Sequence, residues 1–87
     1  MGKKCEKIFE KAKENPAGLR FAELKALCFC FGMSLDRMKG SHYIFIREAP
    51  FFLFSIQKMK DGKAKPYQVK QLLAFVEEND LVFMAKE

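Results

Sequence analysis

Prolines and glycines divide this chain into short segments, and the hydrophobic period changes from one side of the breaks to the other. Over residues 3–14, Cys5, Ile8, Phe9 and Ala12 recur at i, i+3, i+4 and i+7, one face of an amphipathic helix. Asn15-Pro16 ends it, because the residue before proline is pushed out of the helical region, and Ala17-Gly18 prolongs the break. A second helix is predicted from Arg20 or Phe21 to Phe31. Its stripe is Phe21, Leu24, Leu27, Cys28 and Phe31, with Gly32 as the left-handed residue that closes it. Phe29 and Cys30 lie off the stripe, so this helix is expected to meet a second element.

From Met33 the runs become strand-like. Met33–Met38 is a predicted strand followed by a Lys39-Gly40 turn. Ser41–Arg47 and Phe51–Gln57 are rich in aromatic and β-branched residues. Glu48-Ala49-Pro50 joins them as an antiparallel hairpin. After a turn at Lys60-Asp61-Gly62-Lys63, a last helix starts at Pro66, which suits the first helical position because its missing N–H is not needed there. Val69, Leu72, Leu73 and Val76 form its apolar stripe; Gln68, Lys70, Gln71, Glu77 and Glu78 are expected to face solvent, and Asn79 to close it. The tail, residues 80–87, holds Leu81, Val82 and Phe83, apolar enough to dock back or meet a partner. Without the first helix the order is α-β-β-β-α. That predicts an α+β fold with a three-stranded antiparallel sheet, helices on one face and an additional N-terminal helix. Double-stranded-RNA-binding domains have this order, as do unrelated families, so order alone assigns no function.

Eighty-seven residues suit a single domain, 1–87, with a modest core, and ten Phe with no Trp predict one built on phenylalanine. Sixteen Lys and Arg against eleven acids give a net charge of +5, which favours a polyanionic partner. No apolar run reaches the roughly 20 residues of a membrane helix, and the charged Met1-Gly2-Lys3-Lys4-Cys5-Glu6 start reads as neither a secretion signal nor a myristoylation motif. Three cysteines are an odd count without a disulfide framework. Cys28 and Cys30 diverge by roughly 200° on a helix, which argues against a shared metal. All three are therefore expected to be free, buried thiols of a reducing, cytoplasmic compartment, with no metal or other cofactor.

His42 is the one histidine, and histidine is the side chain that changes charge near neutral pH without help. Gly40 lets the backbone approach a ligand, Ser41 adds a donor and acceptor, and Arg37 and Lys39 offer charge for a phosphate. That is what RNA cleavage needs: a base for the 2′-hydroxyl proton and charge for the crowded phosphorane. Lys58, Lys60, Lys63, Lys65 and Lys70 form a second group opposed only by Asp61. Lys63-Ala64-Lys65-Pro66 leads into a helix N-terminus, where free N–H groups attract phosphate. The same group also reads as a solvated basic loop. Strand alternation puts His42, Ile44 and Ile46 on one face and Tyr43, Phe45 and Arg47 on the other. Both faces are partly apolar, so periodicity leaves open which one the helices cover.

Arg37-Met38-Lys39-Gly40-Ser41-His42-Tyr43-Ile44-Phe45 resembles the Arg-x-Lys-Gly-Ser-His-His-Ile-Phe core of HicA toxins. The run from Gly62 to Leu73 is similar to the last-helix signature of one HicA-like branch, and Leu19-Arg20-Phe21-x-Glu23-Leu24 with Gly32-Met33 also fits. The likeness spans residues 19–81, with 3–14 as an added helix. It implies the toxin of a type II toxin–antitoxin system: a metal-independent endoribonuclease of double-stranded-RNA-binding-like fold that cleaves mRNA and is blocked by a HicB-like antitoxin. On this chain it implies His42 as the catalytic residue, with Arg37, Lys39, Gly40, Ser41, Lys63, Lys65 and Lys70 on the RNA backbone. Many relatives carry a second histidine where this chain has Tyr43. The alternative is a non-catalytic RNA-binding or antitoxin-docking module of the same fold.

Overall fold

The computed structural model describes residues 3–84; Met1-Gly2 and the end of the expected tail, 85–87, lie outside the described residues. Helix α1 (Lys3–Glu14) leads through a 3-10 turn (Pro16–Gly18) to α2 (Phe21–Cys30). Strands β1 (Ser34–Lys39), β2 (His42–Arg47) and β3 (Phe52–Ile56) follow, then α3 (Pro66–Glu78). The fold is α+β, with three antiparallel strands in an open sheet of order β1-β2-β3.

Both long-range helix ends follow from local chemistry. Gly32 has φ +82°, and the Gly32 and Met33 N–H groups donate to the Phe29 and Cys28 carbonyls, the Schellman closure of α2. Asp80 takes the same left-handed place after α3 at φ +50°, and the Leu81 N–H donates to Val76 O. This reversal turns the tail back over the helices. The Phe83 ring centroid lies 5.0 Å from Phe31 and 5.7 Å from Phe9, and the Met84 N–H donates to Cys30 O at 2.7 Å.

The ambiguity of β2 is resolved by packing. Phe21 meets Tyr43 (5.0 Å between centroids), Phe29 meets Phe45 (5.4 Å) and Phe75 stacks on Phe52 (3.9 Å), so α2 and α3 cover the Tyr43–Phe45–Arg47 face. Phe45, Phe54 and Ile56 are sealed beneath them. His42, Ile44 and Ile46 therefore lie on the open face, with Leu53 and Ser55 beside them in register. Helix α1 buries Cys5, Ile8 and Ala12 against the other helical segments.

Five expectations are corrected. Met33 is in the core rather than in β1, and the hairpin turn is Gly40-Ser41, so β2 begins at His42. The β2–β3 connection is residues 48–51, one longer than expected, because Phe52 pairs with Arg47. Gln68 is buried, because its side chain serves the backbone at the end of β3 rather than solvent. Cys5 and Cys30 are joined as a disulfide across a Cα–Cα distance of 5.9 Å, leaving Cys28 the free thiol. The divergence of Cys28 and Cys30 is the reason: Cys28 points into the core while Cys30 points at α1. The reducing compartment drawn from free thiols loses its basis. Burial pushes the Cys28 thiol far up, which makes it inert.

Arg47 is a charged residue of the covered face. Its Nε donates to Phe31 O at 2.8 Å and one terminal nitrogen to Ala49 O at 3.2 Å. It thus ties the C-terminal end of α2, where carbonyls lack helical partners, to the β2–β3 loop.

Candidate functional site

The β1–β2 hairpin turns through Gly40 at φ +63° and Ser41, the pattern of a II′ turn with glycine first. A Cβ on Gly40 would meet nothing within 4 Å, so the turn stands in open space. The tight turn sets Lys39 directly opposite His42, both exposed. Across the sheet the Ser55 hydroxyl lies 3.3 Å from His42 Nδ1, which leaves Nε2 as the outward ring nitrogen. Arg37 stands on the same open face, in register with Ile44, and its guanidinium is ion-paired with Asp36.

Lys65 comes to this turn through Gln57. Lys65 Nζ donates to Gln57 Oε1 at 2.8 Å, and Gln57 Nε2 donates to Ser41 Oγ at 2.8 Å. The Gln57 backbone N–H donates in turn to Oε1 of the buried Gln68 at 3.1 Å. The start of α3, the end of β3 and the Gly40-Ser41 turn are therefore one hydrogen-bonded unit. Because Ser41 Oγ accepts from Gln57, its own proton is available to an anion, as are the remaining Lys65 protons.

Lys63 and Lys70 are not part of this unit. The loop carrying Lys63 is pinned to the start of α2: Phe21 N–H donates to Gly62 O at 3.1 Å and Ala64 N–H to Leu19 O at 2.9 Å. Lys63 thus sits opposite Arg20 in an antiparallel bridge, two exposed cations side by side. Lys70 is exposed on α3. Arg20, Ser55, Gln57 and Gln68 escape sequence reading, because each owes its place to a contact between segments distant in the chain. Tyr43, where the HicA pattern often has a second histidine, points away from His42 into the helix-covered face, under Phe21 and with Lys25 Nζ 4.9 Å from its ring.

Among the described residues no group of three or more His, Cys, Asp or Glu could hold a metal ion, and no helix is long and apolar enough to cross a membrane. No protein-family model, curated protein or solved structure matches this chain.

Proposed function

We propose that this chain is an RNA-cleaving toxin of HicA type, with a double-stranded-RNA-binding-like core and His42 as its catalytic residue. The observation that carries the reading is the Lys65–Gln57–Ser41 chain, which brings a cation and a hydroxyl from separate segments beside an exposed histidine on the open face.

In the proposed step His42 Nε2 takes the proton of a ribose 2′-hydroxyl. The 2′-oxygen attacks the adjacent phosphorus, the P–O5′ bond breaks, and water or a lysine ammonium protonates the departing 5′-oxygen. The products are a 2′,3′-cyclic phosphate and a 5′-hydroxyl. Ser41, Lys39 and Lys65 stabilise the charge on the phosphorane, and Ser55 holds the ring at Nδ1. Arg37 joins them through the guanidinium N–H groups that do not face Asp36. Lys63 and Lys70, with Arg20, grip the backbone further along by charge, without reading sequence.

Position 43 lies across the sheet from His42, so a histidine there would not share its phosphate. The missing second histidine is thus no loss to this face, and mRNA as the substrate, with a HicB-like antitoxin over the open face, completes the proposal.

The test compares the wild type with His42→Ala on a defined RNA and on the same RNA with a 2′-deoxy substitution at the cut site. Cleavage by the wild type alone, ending in a cyclic phosphate and abolished by the deoxy substitution, is the expected result. Equal cleavage by both proteins, or none by either, overturns it. Salt-dependent RNA binding without cleavage, unchanged in His42→Ala, would establish the non-catalytic module instead.

A further inference from the structure

β1 is an edge strand: β2 lies on one side of it, and all six of its residues are exposed. Its helix-side residues are apolar and overhang the helix layer. Leu35 pairs with Phe45 and Met38 with Tyr43, yet Leu35 is 43% and Met38 51% exposed, beside Phe29 at 46%. An exposed edge with apolar side chains is a template for another strand.

We infer that the strand it takes is β1 of a second copy of this chain, antiparallel, about a two-fold axis between Asp36 and Arg37. Two observations select this partner and this register. The first is charge. The arrangement sets Asp36 against Arg37 of the other copy twice, Leu35 against Met38 twice, and Lys39 against Ser34, with no like charges opposed. A two-fold axis on Asp36 or on Arg37 would instead oppose like charges at its centre.

The second is the bulge. Directly opposed residues in an antiparallel pair must point to the same face, and in an unbulged strand this register would oppose residues of opposite faces. The ladder of β1 shifts between Leu35 and Arg37, with Asp36 the extra residue. Ser34 and Lys39 therefore share the open face, while Leu35 and Met38 share the helix side. The bulge makes the self-complementary register sterically consistent. It also bends the edge, and a two-fold pair uses each β1 edge once and closes. The intrachain Asp36–Arg37 ion pair is exchanged for two equivalent interchain pairs.

The experiment is sedimentation equilibrium on the full chain, with folding of each variant checked by circular dichroism. The wild type is expected to be a dimer. Asp36→Arg and Arg37→Asp each put like charges at the centre in two opposed pairs and weaken the dimer by about tenfold. The double swap Asp36→Arg/Arg37→Asp restores it, and Met38→Lys weakens it without touching the central charges. A monomeric wild type overturns the inference, as do single swaps that dimerise normally or a double swap that fails to recover. No outcome depends on RNA cleavage, so the pairing and the proposed activity stand or fall separately.

Discussion

Ser55 Oγ lies 3.3 Å from His42 Nδ1, on the neighbouring strand and the same open face. The contact joins strands whose register is set by Phe45 opposite Phe54 on the other side of the sheet. Ser55→Ala is expected to leave the melting temperature within a degree or two, because both groups are at the surface. It should slow RNA cleavage about tenfold, the worth of one positioning hydrogen bond. Single-turnover rates alongside thermal melts check it, and an unchanged rate removes Ser55 from the site.

Gln57 is expected to matter more to binding than its neutral side chain suggests. Gln57→Leu keeps the volume but frees Lys65 and leaves Ser41 without its donor. RNA affinity should fall, with the salt dependence nearly kept. Lys65→Ala should instead lower the slope of log affinity against log salt by about 0.9 for duplex, or about 0.7 for a single strand. Lys63→Ala and Lys70→Ala give the same comparison for the outlying cations, read by fluorescence anisotropy across a salt series.

Arg47→Met is predicted to destabilise the fold. The apolar stem is replaced, but the Phe31 carbonyl at the end of α2 loses its donor. An unsatisfied buried carbonyl costs about 1–3 kcal/mol, or a melting shift of roughly 4–8 °C per kcal/mol for a domain of this size. A melt within 2 °C of wild type, on the order of the measurement error, would count against the assignment.

Reducing the Cys5–Cys30 bond, or replacing both residues by alanine, should cost about 3.5 kcal/mol in the loop-entropy model for a sequence separation of 25. The effect is read as the difference between urea midpoints with and without reductant. In the double alanine variant, reductant should change nothing.

Glu23 gives the fold an acid-sensitive contact. Partial burial pushes its carboxyl up, but the Arg20 N–H and the Lys11 ammonium, 2.9 Å from Oε1, outweigh it and hold the group below its ordinary value of 4.5. A lowered folded-state value means that stability is fully present above the ordinary value and is lost as pH falls through the folded one. Glu23→Gln should therefore lower the urea midpoint at pH 7 and flatten its decline in acid. Parallel curves for the two proteins would refute this.

Much of the architecture was legible in the residues. Asn15-Pro16, Gly32 and Pro66 mark breaks that the backbone enforces locally, and the Phe21–Phe31 and Val69–Val76 stripes have a helical period. The candidate site was legible only in part. Gly40-Ser41-His42 stands out as a tripeptide and Lys65 as a member of a basic loop, but nothing in either segment says that they meet.

Sequence by itself determined which segments become helices and strands, because turn geometry and hydrophobic period act over a few residues. Only the tertiary structure decided which face of β2 is open: His42, Ile44 and Ile46 are at least as apolar a set as Tyr43, Phe45 and Arg47. The choice falls to the aromatic rings of α2 and α3, which pack on the latter. The same holds for the bond between Cys5 and Cys30, the burial of Gln68 and the bridge through Gln57. Each depends on where distant segments come to rest, and that position is set by the summed packing of the whole core rather than by any local preference.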